Sequence, residues 1–190
     1  SAEDKNFYEH PGYDMRGIFA ALVDAIQSRG KRIRGASTIT QQVMKNFLLD
    51  RSRRAERKVK EIILATRIER SLTKEQILEL YLNEIFLGQN SYGITAASQT
   101  YFNKTLDELA PHEAAFLAAL PKAPSDYHPV REKERLLERR NYVLKEMFQN
   151  GYLPKRIYKY ELTQPIKSVQ GRDYTGFRSK LPSRNYFTDE

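Results

Sequence analysis

The apolar residues of this chain recur at helical spacing, and Gly and Pro fall between the periodic stretches instead of inside them. That pattern, with almost no strict apolar–polar alternation, leaves a mainly α-helical fold as the natural outcome. Over residues 15–29, Met15, Ile18, Phe19, Leu22, Val23 and Ile26 share one face, and the stretch closes at Gly30 before the basic cluster Lys31, Arg32 and Arg34. Over 38–49, Thr38 and Gln41 have capping-box spacing; Ile39, Val43, Met44, Phe47 and Leu48 are expected in the core, with Gln41, Gln42, Lys45 and Asn46 on the polar side. A basic helix is expected over 53–71, with Val59, Ile62, Ile63, Ala65 and Ile68 buried. Thr73 and Gln76 open another helix, and further helices are expected over 93–101, 111–120 and 131–150, with a short one starting at Pro154. From residue 163 onward the texture turns to Pro, Gly, Ser and aromatics without period, which reads as a linker.

A chain of 190 residues is long enough to bury a core without disulfides or a structural metal. It has no cysteine, which excludes a disulfide framework, a thiolate nucleophile and a Cys-ligated zinc site. The net charge of +8 favours an anionic partner: nucleic acid, an anionic membrane or a phosphorylated substrate. No apolar run approaches the ~20 residues that a membrane-spanning helix requires. The chain opens on Ser1 and reads as an excerpt of something longer.

Three constellations carry chemistry. Glu3 and Asp4 stand beside Phe7, Tyr8 and His10. Two carboxylates near apolar rings suit an acid/base site, because desolvation tunes a carboxyl for proton transfer; the plainer alternative is a solvated acidic turn. Ser37 and Thr38 open a helix after Gly35, with Lys45 one to two turns along. Free N–H groups make such an end an anion site; the plainer alternative is an ordinary capped helix. Arg57 and Lys58 lie four and three residues before Glu61, on one helix face. That is either a surface ion-pair ladder or a cationic cradle for pyrophosphate, with one carboxylate placed for a divalent metal. A P-loop, a zincin helix and a helix-turn-helix or aromatic–basic sheet motif are all missing, so nucleic-acid readout has no motif behind it.

In order and together, these segments resemble glycosyltransferase family 51, the peptidoglycan glycosyltransferases. Residues 3–12 match E-D-x-x-F-x-x-H-x-G, residues 35–46 match G-x-S-T-x-T-Q-Q-x-x-K-N, and residues 57–61 match R-K-x-x-E. The fourth motif is read in Ile77–Asn83 and on through Gly88, Gly93 and Tyr101–Lys104, the fifth in Glu113–Ala118 and Pro121. Ala36 departs from the second Gly that many members carry.

The resemblance implies a lysozyme-like helical fold with a head and a smaller membrane-facing jaw, over residues 1–162. It implies polymerisation of lipid II into glycan strands with inversion and release of undecaprenyl pyrophosphate. Glu3 matches the catalytic base and Glu61 the second essential glutamate, which acts directly or through a divalent cation, Mg²⁺ or Mn²⁺. Lys45, Arg57 and Lys58 would neutralise the pyrophosphate, Gln42 and Asn46 would position it, and Asp4, Phe7, His10, Ser37 and Thr38 would shape the site. The implied partners are lipid II, the growing strand, the membrane surface and cell-wall synthesis scaffold proteins. The implied location is the outer face of the bacterial cytoplasmic membrane, with the anchor outside this sequence and a transpeptidase domain following residues 163–190. Two other functions compete. A lysozyme-like hydrolase would share the glutamate in a sugar cleft, but cleavage of neutral glycan requires no basic helix at 53–67. A non-catalytic binder of an acidic polymer gives no reason for Glu3 and Asp4.

Overall fold

The structure is a computed structural model, and it describes residues 2–28, 37–47, 54–124, 127, 129 and 132–169. Among these residues eight α-helices run in chain order: α1 Met15–Gln27, α2 Ile39–Phe47, α3 Arg54–Ile68, α4 Lys74–Glu84, α5 Ile94–Phe102, α6 Pro111–Ala119, α7 Lys133–Gln149 and α8 Lys155–Thr163. A 3₁₀ turn, Leu120–Lys122, extends α6. One isolated antiparallel bridge, Phe86 to Tyr92, is the β structure among the described residues. The mainly helical class expected from the periodicity holds. The cluster Lys31, Arg32 and Arg34, along with Gly35, Ala36 and Leu48, lies outside the described residues.

The helices form two groups. In one, α6 packs against α5, α7 and α8; in the other, α2 packs against α3 and α4; contacts between α4 and α5 join them. The alanines of α6 make it a suitable centre. Ala115 and Ala119 are fully buried, so α7 can approach closely, and Phe116 fills the space between with edge-on contacts to Tyr101 and Phe102 at 5.1 Å. Leu120, Leu136, Val143 and Leu144 complete this core. Tyr101 is buried there too, donating its hydroxyl to the Leu87 carbonyl at 2.8 Å, and burial pushes its phenol up to about 12.

Helix starts follow local chemistry. Thr73 and Gln76 make the full reciprocal capping box predicted for α4. On α2 only half of the expected box forms. The Gln41 N–H donates to the Thr38 hydroxyl at 3.1 Å, but the Gln41 side chain turns elsewhere. Gln41 is therefore buried, against the expected polar placement, and Phe47, expected in the core, is 57% exposed. The inward face of α3 is also rotated from expectation. Glu61 and Ala65 are buried while Val59 and Ile63 are exposed. Lys58 and Glu61 tie α3 to α2 through polar contacts, while Leu64, Ala65 and Ile68 meet the core further along the helix, so Val59 and Ile63 are left outward. Helix α1, capped by Asp14, packs against no other helix among the described residues.

The tail read as linker is bound over its first residues. The buried Arg140 donates to the Gln164 carbonyl at 2.6 Å, and the Val169 N–H donates to the Tyr101 carbonyl at 2.9 Å. Truncating Phe116 to Ala should cost about 3–5 kcal/mol in denaturant unfolding followed by circular dichroism, because it leaves a cavity at the centre of α5, α6 and α7.

Candidate active site

The site is built on a fold-back of the N-terminal segment over the start of α2. Asp4 is buried and accepts from the Ile39 N–H at 2.9 Å, one of the free donors at the first turn of α2. The same carboxylate faces His10 Nε2 at 2.9 and 3.1 Å. The Gly12 N–H donates to His10 Nδ1 at 3.1 Å, which fixes the ring proton on Nε2, where it is donated to Asp4. Thr38 Oγ1 donates to the Gly12 carbonyl at 2.8 Å and closes the loop. Gly12 has φ +95°, and a Cβ there would lie 2.8 Å from the Ala65 carbonyl, so the turn can pass this close to α3 only as glycine. Phe7 is buried beneath, with Lys74 Nζ 4.7 Å over its ring. Lys74 also bonds to the His10 carbonyl at 2.6 Å and to Glu69 at 2.7 Å.

The two adjacent carboxylates thus separate. Asp4 is a buried tie. Glu3 points to the other side, 21% exposed, into a cleft of about 800 Å³. Asp4, Ser37 and Thr38 also line that cleft, as do Arg16, Lys122, Tyr127, Arg135, Arg139 and Tyr142. Arg139 Nη2 holds Glu3 Oε1 at 2.5 Å, and its guanidinium stacks over the Tyr142 ring at 4.8 Å.

Behind Ser37 lies the second group. Lys58 Nζ reaches Ser37 Oγ at 2.8 Å, Gln41 Oε1 at 2.9 Å and Glu61 Oε2 at 3.2 Å. Arg57 Nε stands 3.6 Å from Glu61 Oε1. The one-face reading of Arg57, Lys58 and Glu61 is therefore met, and Glu61 is buried between two cations. Both of its oxygens face those cations, and among the described residues no three His, Asp or Glu gather as a metal cage. These residues do not by themselves make a divalent-cation site, so no step is derived through one.

Of the remaining expected site residues, Lys45 and Asn46 sit exposed on α2 and Gln42 is half-buried; none of the three lines the cleft. Sequence reasoning missed Arg139 and Lys74. Arg139 sits in a charged helix 136 residues from Glu3, and no local pattern marks it. Replacing Asp4 with Ala would leave the His10 Nε2–H and the Ile39 N–H unpaired. It should cost about 2–4 kcal/mol in equilibrium unfolding, with His10→Ala costing less because the Ile39 bond survives.

A family model described as transglycosylase matches residues 1–148. Penicillin-binding protein 1A of Rickettsia felis is 53% identical over 168 residues, covering 87% of this chain and 21% of that protein. Penicillin-binding protein 1A of Escherichia coli (strain K12) is 48% identical over 168 residues, covering 88% of this chain and 20% of that protein. The crystal structure of penicillin-binding protein 1A from Haemophilus influenzae aligns with TM-score 0.49 at 42% identity, over 67% of this chain and 16% of that one. The chain spans about a fifth of the length of the curated relatives it matches. With its cleft glutamate, its ion-paired second glutamate and a family match over most of its length, this chain belongs to the transglycosylase family, the glycosyltransferase family 51 domains of class A penicillin-binding proteins.

Proposed function

We propose that this chain joins lipid II units into glycan strands by inverting glycosyl transfer. The observation that carries the reading is the placement of Glu3: a part-exposed carboxylate at a large cleft, held by Arg139, next to Asp4, whose carboxylate is buried and bonded to His10 and the start of α2. Glu3 takes the proton from the 4-hydroxyl of the acceptor as that oxygen attacks the anomeric carbon of the donor's reducing-end sugar. The donor's bond to undecaprenyl pyrophosphate breaks, and the pyrophosphate leaves with the electron pair. Inversion follows from attack on the face opposite the leaving group.

The cations are suited to the leaving group. Lys58 reaches the cleft wall at Ser37, and Arg57 stands beside it on α3. Preorganised charge at a departing anion is a large part of such catalysis. Glu61 holds the Lys58 ammonium and orients it. Lys45 and Asn46, exposed on α2, are poised to meet the diphosphate or its lipid from outside the cleft. A Mg²⁺ or Mn²⁺ ion brought with the substrate would supply further positive charge for the leaving diphosphate, since such ions are commonly held by substrate phosphates with one or two carboxylates.

Helix α1 supports a membrane role. Met15, Phe19 and Ile26 are 63%, 69% and 69% exposed on a helix that packs against no other among the described residues. An apolar face left outward beside a lipid-handling cleft fits the acyl boundary of a bilayer. Among the described residues no helix is long and apolar enough to cross a membrane. We place the chain at the outer face of the bacterial cytoplasmic membrane, in a parent that also carries a transpeptidase domain.

In polymerisation of labelled lipid II in detergent with Mg²⁺, Glu3→Gln should lower the rate by about 10²–10⁴-fold, the usual range for a lost general base. Glu61→Gln should also lower it while circular dichroism stays unchanged. A folded wild type that makes no strands would refute the reading. Replacing Phe19 and Ile26 with Ser should weaken binding to anionic vesicles at unchanged thermal stability; a stability loss with unaltered vesicle binding would refute the membrane role.

A further inference from the structure

Helix α7 turns one face toward the N-terminal segment. Arg139, Tyr142 and Glu146 stand at spacing i, i+3 and i+7, which places them in a row along the helix. Arg139 holds Glu3 at the cleft, with its guanidinium over the Tyr142 ring. Two turns beyond Arg139, Glu146 Oε2 meets Lys5 Nζ at 2.5 Å. The Glu146 side chain is 7% exposed and that of Lys5 47%, so a lysine at the cleft reaches a carboxylate that is almost wholly enclosed. No hydrogen bond of good angle reaches that oxygen, so the attraction of opposite charges makes the contact. Burial works to raise the Glu146 carboxyl, but Lys5 and Tyr142 outweigh it; the group lies below its ordinary range and is ionised at neutral pH.

Glu3 and Lys5 are therefore tied to one rigid helix, at points seven residues apart, while Asp4 between them is tied to the start of α2. The division matters because, among the described residues, α7 packs on α6 and α8 and makes no contact with α2 or α3. Residues 3–5 thus bridge two walls that do not touch each other. Asp4 and His10 fix the segment on the α2 side only. A single attachment to α7, through Glu3 itself, would be given up as Glu3 turns from Arg139 toward an acceptor hydroxyl. The contact of Lys5 with Glu146 is a second attachment that the reaction does not use.

We propose that Lys5 and Glu146 form a positioning pair for the general base: they keep residues 3–5 against α7 while the Glu3 carboxylate leaves Arg139 for the substrate. The inference rests on the reading of Glu3 as the base. The proton taken from the acceptor goes to Glu3, and neither Lys5 nor Glu146 gains or loses one. A misplacement of about 1 Å at a reacting group can cost about 10²-fold in rate. A tie that holds the backbone two residues from the base is therefore felt in kcat.

The test compares Lys5→Gln, Glu146→Gln and the double variant with wild type in lipid II polymerisation, with circular dichroism as the check on folding. The Lys5 side chain is half-exposed, so Lys5→Gln keeps the fold and carries the test even if Glu146→Gln does not fold. The proposal expects each single variant to lower kcat about tenfold with KM unchanged. The double variant should be no slower than the slower single one, and Lys5→Arg, which keeps the charge, should keep the wild-type kcat. In the Glu3→Gln background Lys5→Gln should lower the rate no further. An unchanged kcat in Lys5→Gln or losses that multiply in the double variant would overturn the proposal. So would a raised KM in Lys5→Gln, the sign that Lys5 meets substrate directly. An active wild type slowed by Glu3→Gln but not by Lys5→Gln would sink this inference alone, whereas a wild type that Glu3→Gln does not slow would sink the assignment of Glu3 as well.

Discussion

The contact between the Asp4 carboxylate and the first turn of α2 is the constraint on which the site depends. Without it the N-terminal segment has no reason to lie across the helix end. With it, the backbone direction at residue 4 is fixed and the neighbouring side chain, Glu3, is turned into the cleft. The tie is redundant by design: His10 holds Asp4, Gly12 holds the His10 tautomer, and Thr38 holds Gly12. Each bond is modest alone, but burial makes each costly to break, since the group left behind finds no water. The acidic residue at a helix N-terminus also benefits from the aligned peptide dipoles.

The charges of the site are sorted by distance from this tie. On the cleft side, Arg139 on α7 meets Glu3; behind the Ser37 wall, Lys58 and Arg57 on α3 meet Glu61. Each carboxylate is therefore accompanied by cations from a different helix group. Two carboxylates in similar chemical surroundings would do similar work; here one borders an open cleft and the other is enclosed between an ammonium and a guanidinium. In the proposed reaction, that difference of surroundings lets one accept a proton and the other hold a cation in place for a departing anion.

Local chemistry was legible in the sequence, and long-range assembly was not. The helices, the capping box at Thr73, and the shared face of Arg57, Lys58 and Glu61 follow from spacing alone. The motif residues Glu3, Asp4, Ser37 and Thr38 were readable, and the fold brings them to one cleft. The failures share a cause. Gln41 looked like a surface residue because amide side chains usually are, and its burial depends on Lys58 from another helix reaching it. Val59 and Ile63 looked like core because they are apolar, but a helix that packs on one neighbouring helix buries one stripe, and here that stripe runs through Glu61, Ala65 and Ile68. Arg139 meets Glu3 across 136 residues of chain, with nothing in its own neighbourhood to mark it.

The central claim is that Asp4 and His10 act as one unit whose task is to place Glu3. A double-mutant cycle read on the rate of glycan polymerisation tests it most directly, using Asp4→Asn, His10→Gln and the two together. If the unit is real, the double variant is no slower than the slower single variant, because the first substitution already frees the segment. Losses that multiply would mean that the two residues serve the reaction separately, and would contradict the account.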